Sequence, residues 1–174
     1  MKKIYIVLSY TGTILAKAIK IYTRKEYSHV SISLDEKMNN MYSFGRLNPY
    51  IPFWGGFVQE SPHFGTFKRF NKSKIIVYSM EVSDDDYQNI KKTIESVRDH
   101  RQDYHFNVMG LVTAIGHYPL KRDKCFYCAE FVKYVLENSN LELDLPEFIR
   151  PDDFRRMQGL DVVFVGRLCE YNTL

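Results

Sequence analysis

The segment CFYCAEFVKYVLE, residues 125–137, carries two thiols beside the start of a periodic apolar stripe. Phe131, Val132, Val135 and Leu136 recur at helical spacing, which predicts an amphipathic helix over Ala129–Glu137 docked on a core by that face. Cys128 then stands at N-cap or N1, where unpaired N–H groups and the positive end of the helix dipole favour a thiolate. Such a thiolate can attack an acyl carbon. A buried free cysteine more often simply fills space, so Cys128 needs a second group before it signifies chemistry.

Cys125 completes a C-x-x-C with Cys128, the spacing of a redox pair or of half a zinc site. A zinc site needs a second ligand pair at matching spacing, and Cys169 stands alone. A thioredoxin-like motif should follow a buried strand, whereas the polar run KRDK precedes this one. Cys169, in an alternating apolar stretch, reads as core.

A nucleophilic thiol requires a base, and sequence distance does not matter because the fold supplies proximity. Of the five histidines, His100 and His105 fall at the ends of surface helices, His117 precedes Pro119, and His63 follows Pro62. His29 differs. It opens the alternating run HVSISL, which puts His29, Ser31 and Ser33 on one strand face and Val30, Ile32 and Leu34 on the other. A strand histidine alone is usually a half-buried structural residue; opposite a helix-start cysteine it is the candidate base.

These groups must be positioned by a mixed set of elements. Ile4–Leu8 reads as a strand and 13–22 as a helix, with Ile14, Leu15, Ala18 and Ile19 on one side. HVSISL, the turn DEKMNN and Met41–Phe44 make the pattern of an antiparallel hairpin. Short strands are expected at Gly56–Glu60 and Thr66–Phe70, and a long one at Ile75–Val82. Ser83 with Asp86 forms a capping-box-like start to a helix through Tyr87, Ile90, Ile94 and Val97. Helices over 106–115 and near 151–157, then a strand over 162–171, complete the chain. Strands early and helices mostly later favour an α+β domain spanning 1–174 over a doubly wound sheet.

Composition narrows the partners. With 174 residues, a net charge of +3 and a pI near 8.6, the chain is one mildly basic domain whose charges are interspersed, which argues against a dedicated nucleic-acid binder. Three cysteines do not suggest a disulfide framework, and the short apolar run of MKKIYIVLSY reads as a buried strand rather than a secretory signal. The expected location is the cytoplasm. No apolar stretch is long enough to span a bilayer.

One motif points elsewhere. In IVLSYTGTILAKAI, Ser9, Thr11, Gly12 and Thr13 resemble the flavin-phosphate loop of flavodoxin-like proteins, in which hydroxyls and N–H groups at a helix start hold the phosphate. The alternative is a tight strand-to-helix turn, with Gly12 giving backbone freedom and Thr11 or Thr13 capping. FMN binding requires the next strand to run parallel to the first. The hairpin that follows does not fit that requirement.

Taken together, YSHVSISLDE, MYSFGR, GGFVQE, QDYHFNVMGL and FYCAEFVKYVLE resemble the circularly permuted papain-like hydrolases of the NlpC superfamily, particularly the YiiX-type proteins. C-A-E-F-V is also close to the cysteine motif of lecithin–retinol acyltransferase-like enzymes. The resemblance implies an antiparallel sheet or half-barrel against the cysteine helix, no cofactor, and an acyl-enzyme on Cys128 with His29 as base. It further implies that Tyr104 sits beside the cysteine as an oxyanion donor. The orienting group falls to Ser43, which occupies the position of a family glutamate, or to Glu60. The implied substrate is a small peptide or an acyl lipid, with acyl transfer, or a non-catalytic binding module of the same fold, as alternatives. The aromatic run 50–57 can line a substrate groove or cover the sheet.

Overall fold

The computed structural model describes residues 1–13, 16–17, 20–21, 24–47, 55–107 and 122–171. Its frame is a six-stranded sheet of β1 (Lys2–Tyr10), β2 (His29–Ser33), β3 (Met41–Arg46), β4 (Gly55–Glu60), β5 (Lys74–Val82) and β8 (Asp161–Arg167). The order is β4-β3-β2-β1-β5-β8, and every pairing in this sheet is antiparallel. The central pair β1–β5 runs in register from Lys2↔Val82 to Tyr10↔Lys74. The unbroken apolar run Ile4–Leu8 follows from that central place, because both faces of β1 are covered. A separate two-residue parallel ladder joins β6 (His105–Phe106) to β7 (Cys125–Phe126).

Four α-helices lie wholly among the described residues: α1 (Gly65–Arg69), α2 (Asp84–Asp99), α3 (Cys128–Glu137) and α4 (Leu168–Tyr171). α2 and α3 bury Ile90, Ile94, Phe131, Val132, Val135 and Leu136 against one sheet face, with Ile4, Ile6, Leu8, Val30, Ile32, Phe44 and Phe57 opposite them. The other face carries a smaller cluster of Tyr5, Val7, Met41, Ile75 and Val77, covered by Phe67 of α1 and by Leu168 and Tyr171 of α4. Ser83 caps α2, its hydroxyl accepting from the Asp86 N–H at 3.0 Å, with three aspartates in the first turn facing the positive end of the dipole.

Several expectations change. The segment expected as a strand over Thr66–Phe70 is helix α1: Gly65 at φ +64° turns the chain, and one apolar side chain, Phe67, is buried. So short a run has no reliable period. The expected final strand 162–171 stops at Arg167 and closes into α4, which places Cys169 at a half-buried helical position rather than in a strand core. Near 151–157 the turn is a 3-10 helix, Pro151–Arg156. Phe106 lies in β6, and 108–115 of the helix expected there fall outside the described residues, as do 50–54 of the aromatic run. Ala16, Lys17, Lys20 and Ile21 are helical, as expected for 13–22, whose other members after Thr13 lie outside the described residues. Both neighbours of β1 run antiparallel to it, which overturns the flavodoxin-like alternative, since that fold needs a parallel partner.

Candidate active site

The site forms where β2 begins and α3 begins. α3 starts at Cys128 itself, one residue earlier than the apolar period required, because Tyr127 serves as an extended N-cap. The Tyr127 N–H donates to Glu130 Oε2 at 3.1 Å, and Asn107 Nδ2 donates to the same oxygen at 3.3 Å. The Tyr127 hydroxyl donates to the Ile149 carbonyl at 2.8 Å. From the strand side, the His105 N–H donates to the Lys124 carbonyl at 2.8 Å and the Asn107 N–H to the Phe126 carbonyl at 2.9 Å. These contacts fix the helix start from several directions. Cys128 is thereby held at N1, buried, with a backbone N–H that no residue of its own helix can accept.

His29, the first residue of β2, meets Glu60, the last residue of β4. Its Nε2 lies 3.0 and 3.1 Å from the two Glu60 oxygens. Ser31 Oγ donates to Glu60 Oε2 at 2.6 Å and lies 3.3 Å from the same imidazole nitrogen. On its other side the imidazole shares a hydrogen bond with Cys128. With Nε2 committed to the carboxylate, Nδ1 is the nitrogen left to serve the sulfur. Burial acts to lower the His29 pKa, but Glu60 and Cys128 together outweigh it and push the value up to about 10. The imidazole is held as imidazolium at neutral pH.

The cleft over these groups measures about 90 Å³. Phe44, Phe106 and Tyr127 line it from the helix side, Thr11, Thr13 and Ser28 from the loops beside β1 and β2, and Arg46 from the end of β3. Gly45 forms part of the wall next to His29, where an added Cβ would come within 3.5 Å of His29 Cε1.

Of the residues singled out from sequence, the structure gathers Cys128, His29 and Glu60. Ser43 serves the sheet instead. Its hydroxyl, fully buried, donates to the Val30 carbonyl at 2.7 Å, and the carboxylate that meets His29 comes from β4. Tyr104 stacks on Phe126 with ring centroids 5.9 Å apart and shares a hydrogen bond with Tyr134, and it is not among the described residues lining the cleft. Sequence reasoning missed Ser31 as the second partner of Glu60. The alternation that put Ser31 on the His29 face already contained that signal.

The molecule is thus an α+β protein with a mostly antiparallel sheet, in which a histidine–carboxylate pair faces a helix-start thiol. Its fold is similar to that of the metalloprotein YiiX from Escherichia coli O157:H7, DUF1105, at a TM-score of 0.57 and 14% identity, over 95% of this chain and 98% of that chain. No family model and no curated protein matches the sequence. Because that neighbour is a metalloprotein, the donor set of this chain bears on whether a metal could reside here. Among the described residues, no group of three His, Cys, Asp or Glu is arranged to hold a metal ion, and the Nε2 of His29 is turned to Glu60. The described residues therefore do not by themselves assemble a metal site. Among the described residues no helix is long and apolar enough to cross a membrane.

Proposed function

We propose that this chain is a cysteine-dependent hydrolase of amide or ester bonds, with the permuted papain-like arrangement that its motifs resemble. The observation that supports this reading best is the line Cys128–His29–Glu60, in which a carboxylate anchors one imidazole nitrogen and leaves the other for a thiol at a helix N1 position. The reaction runs in two halves. With the Cys128 proton already resting on His29 as a thiolate–imidazolium pair, the sulfur attacks the carbonyl carbon of the substrate. The oxygen that becomes negative is met by the Cys128 N–H at the helix start. His29 then returns the proton to the leaving amine or alcohol, and an acyl thioester remains on Cys128. In the second half His29 takes a proton from water, the hydroxide displaces the sulfur, and the free acid and the thiol are released. Glu60 stabilises the imidazolium throughout, and Ser31 holds Glu60.

Small peptides and acyl lipids are the substrate classes in view, and a cytoplasmic setting suits a chain whose cysteines are free. The decisive experiment is competitive labelling of the three thiols with iodoacetamide at pH 7, read by mass spectrometry. Cys128 is expected to react much faster than Cys125 and Cys169, and His29→Ala to remove the difference. Equal, slow labelling of all three would sink the hydrolase reading.

A further inference from the structure

The two edges of the sheet are finished differently. Beside β4 lies β6, and the ring of Phe106 comes so close that a Cβ on Gly55 would meet it at 2.6 Å. Beside β8 no described strand pairs on the outer side, and Val162, Val163 and Val165 stand 60, 38 and 61% exposed. The free N–H and C=O groups of an edge can recruit another strand, so proteins guard such edges with lysine, proline or an inward charge. Residues 162–166, Val-Val-Phe-Val-Gly, carry none of these. Three exposed valines within four residues of an edge without those guards mark it as a pairing surface.

The strand itself says what pairs with it. Its ends, Asp161 and Arg167, are exposed and oppositely charged, and among the described residues neither is in an ion pair. Antiparallel alignment of two copies sets the Asp161 end of each beside the Arg167 end of the other. Parallel alignment would set like charge beside like. The chain also leaves the edge accessible. The N–H groups of Leu168 and Cys169 donate to the carbonyls of Ser73 and Asn71, both at 2.9 Å, so α4 folds back toward the β5 side. The Arg167 N–H donates to Glu170 Oε2 at 2.8 Å, which ends any outer ladder at that residue. A pairing that uses the strand from Asp161 to Arg167 is therefore centred on Phe164.

One irregularity has to fit this arrangement. The register with β5 passes from Val77↔Phe164 to Tyr78↔Val162, so Val163 is an extra residue and the strand bulges there. In a pairing centred on Phe164, Val165 of each copy faces the Val162–Val163 step of the other, and the two bulges sit symmetrically about the axis. Val162 and Val165 lie on the face shared with Tyr78 and Ile76. An axis normal to the sheet keeps that face on one side in both copies, so their valines join in a single apolar strip.

We propose that this chain forms a twofold dimer in which β8 pairs antiparallel with β8 of a second copy, continuing the sheet from one molecule into the next. The cleft at β2 and β4 lies beyond β1 and β5 from this edge and stays open in both copies. The dimer thus stands or falls independently of the hydrolase reading.

The test is sedimentation velocity of the full-length protein across roughly a hundredfold range of concentration. The expected result is passage from monomer to dimer and no further, because a twofold pairing consumes the free edge of each copy. Val165→Lys, at a position exposed in the single copy, should weaken the dimer at least about tenfold and leave the urea midpoint of the monomer unchanged. Asp161→Arg and Arg167→Asp should each weaken it about fivefold, since symmetry places the charge contact twice. These two reversals move the net charge in opposite directions, so a shared loss reports the contact and not overall repulsion. The double reversal should recover the wild-type affinity to within about twofold. Should Val165→Lys fail to fold, the charge series decides alone. A monomer at every concentration, open-ended growth, a dimer indifferent to Val165→Lys, or a double reversal no better than the single ones overturns the proposal.

Discussion

The two faces of the sheet are built on different principles. The face under α2 and α3 is packed with Ile4, Ile6, Leu8, Val30, Ile32, Phe44 and Phe57, all apolar and all buried. The opposite face of the same strands carries the buried hydroxyls of Ser9, Ser31, Ser33, Ser43 and Ser79, together with His29 and Glu60. Strand alternation assigns them there: Ser9 pairs with His29, Tyr5 with both Ser33 and Ser79, and Met41 with both Ser33 and Glu60. One face is apolar throughout, and the other joins a smaller apolar cluster to a polar end where Ser31, Glu60 and His29 are hydrogen-bonded together. Cys128 belongs to the first face and His29 to the second, and they meet at the sheet end where β2 starts.

Substitutions should separate the two faces cleanly. Phe131→Ala, in the middle of the apolar face, is expected to cost about 3–5 kcal/mol of stability, measured by urea denaturation, with the Cys128 labelling preference kept wherever the chain remains folded. On the polar face the larger effect is chemical. His29→Ala should slow alkylation of Cys128 roughly 100-fold at pH 7, while the denaturation midpoint moves less than for Phe131→Ala.

The same residue gives the comparison a pH signature. The folded-state pKa of His29 lies above its unfolded value of 6.5, so its pairing with Glu60 and Cys128 stabilises the fold fully below about pH 6.5. That contribution is lost as pH rises toward about 10. Denaturation curves of the wild type and His29→Gln should therefore differ most at pH 6 and converge toward pH 10; a constant gap would place His29 in ordinary packing. Glu60→Gln is expected to slow Cys128 alkylation about tenfold, by removing the charge that holds the imidazolium. Ser31→Ala should cost about 1 kcal/mol and roughly threefold in rate, with Ser31→Thr restoring both. Were Ser31→Ala to weaken stability alone, the polar face would be scaffolding and not part of the site.

Much of this contrast was legible in the sequence. HVSISL states its two faces outright, and the stripe of α3 fixes which way that helix turns. The partner of His29 was harder. Ser43 and Glu60 lie on adjacent strands, and which of them meets the imidazole depends on register and on how far each side chain reaches. Glu60 pairs with Met41 across β3–β4 and its carboxylate meets the imidazole, while the Ser43 hydroxyl is spent on the Val30 carbonyl. Periodicity reports a face; it does not report reach. The same limit applies to Tyr104, whose aromatic neighbours Phe126 and Tyr134 claimed it from sequence positions no local pattern links to it. Thr66–Phe70 failed for another reason, since five residues with one buried side chain carry too little period to separate a strand from a helical turn.

The two-residue ladder between β6 and β7 also has a temporal consequence. It ends one residue before the N-cap of α3, so the amides of His105 and Asn107 are among the contacts that hold the helix start, and with it the thiol, near His29. Those two amides act as a latch whose opening is slower than side-chain motion in the cleft. Hydrogen exchange at them reports how often this side of the helix start opens, which sets the timescale on which the strand side of the site loosens between encounters with substrate.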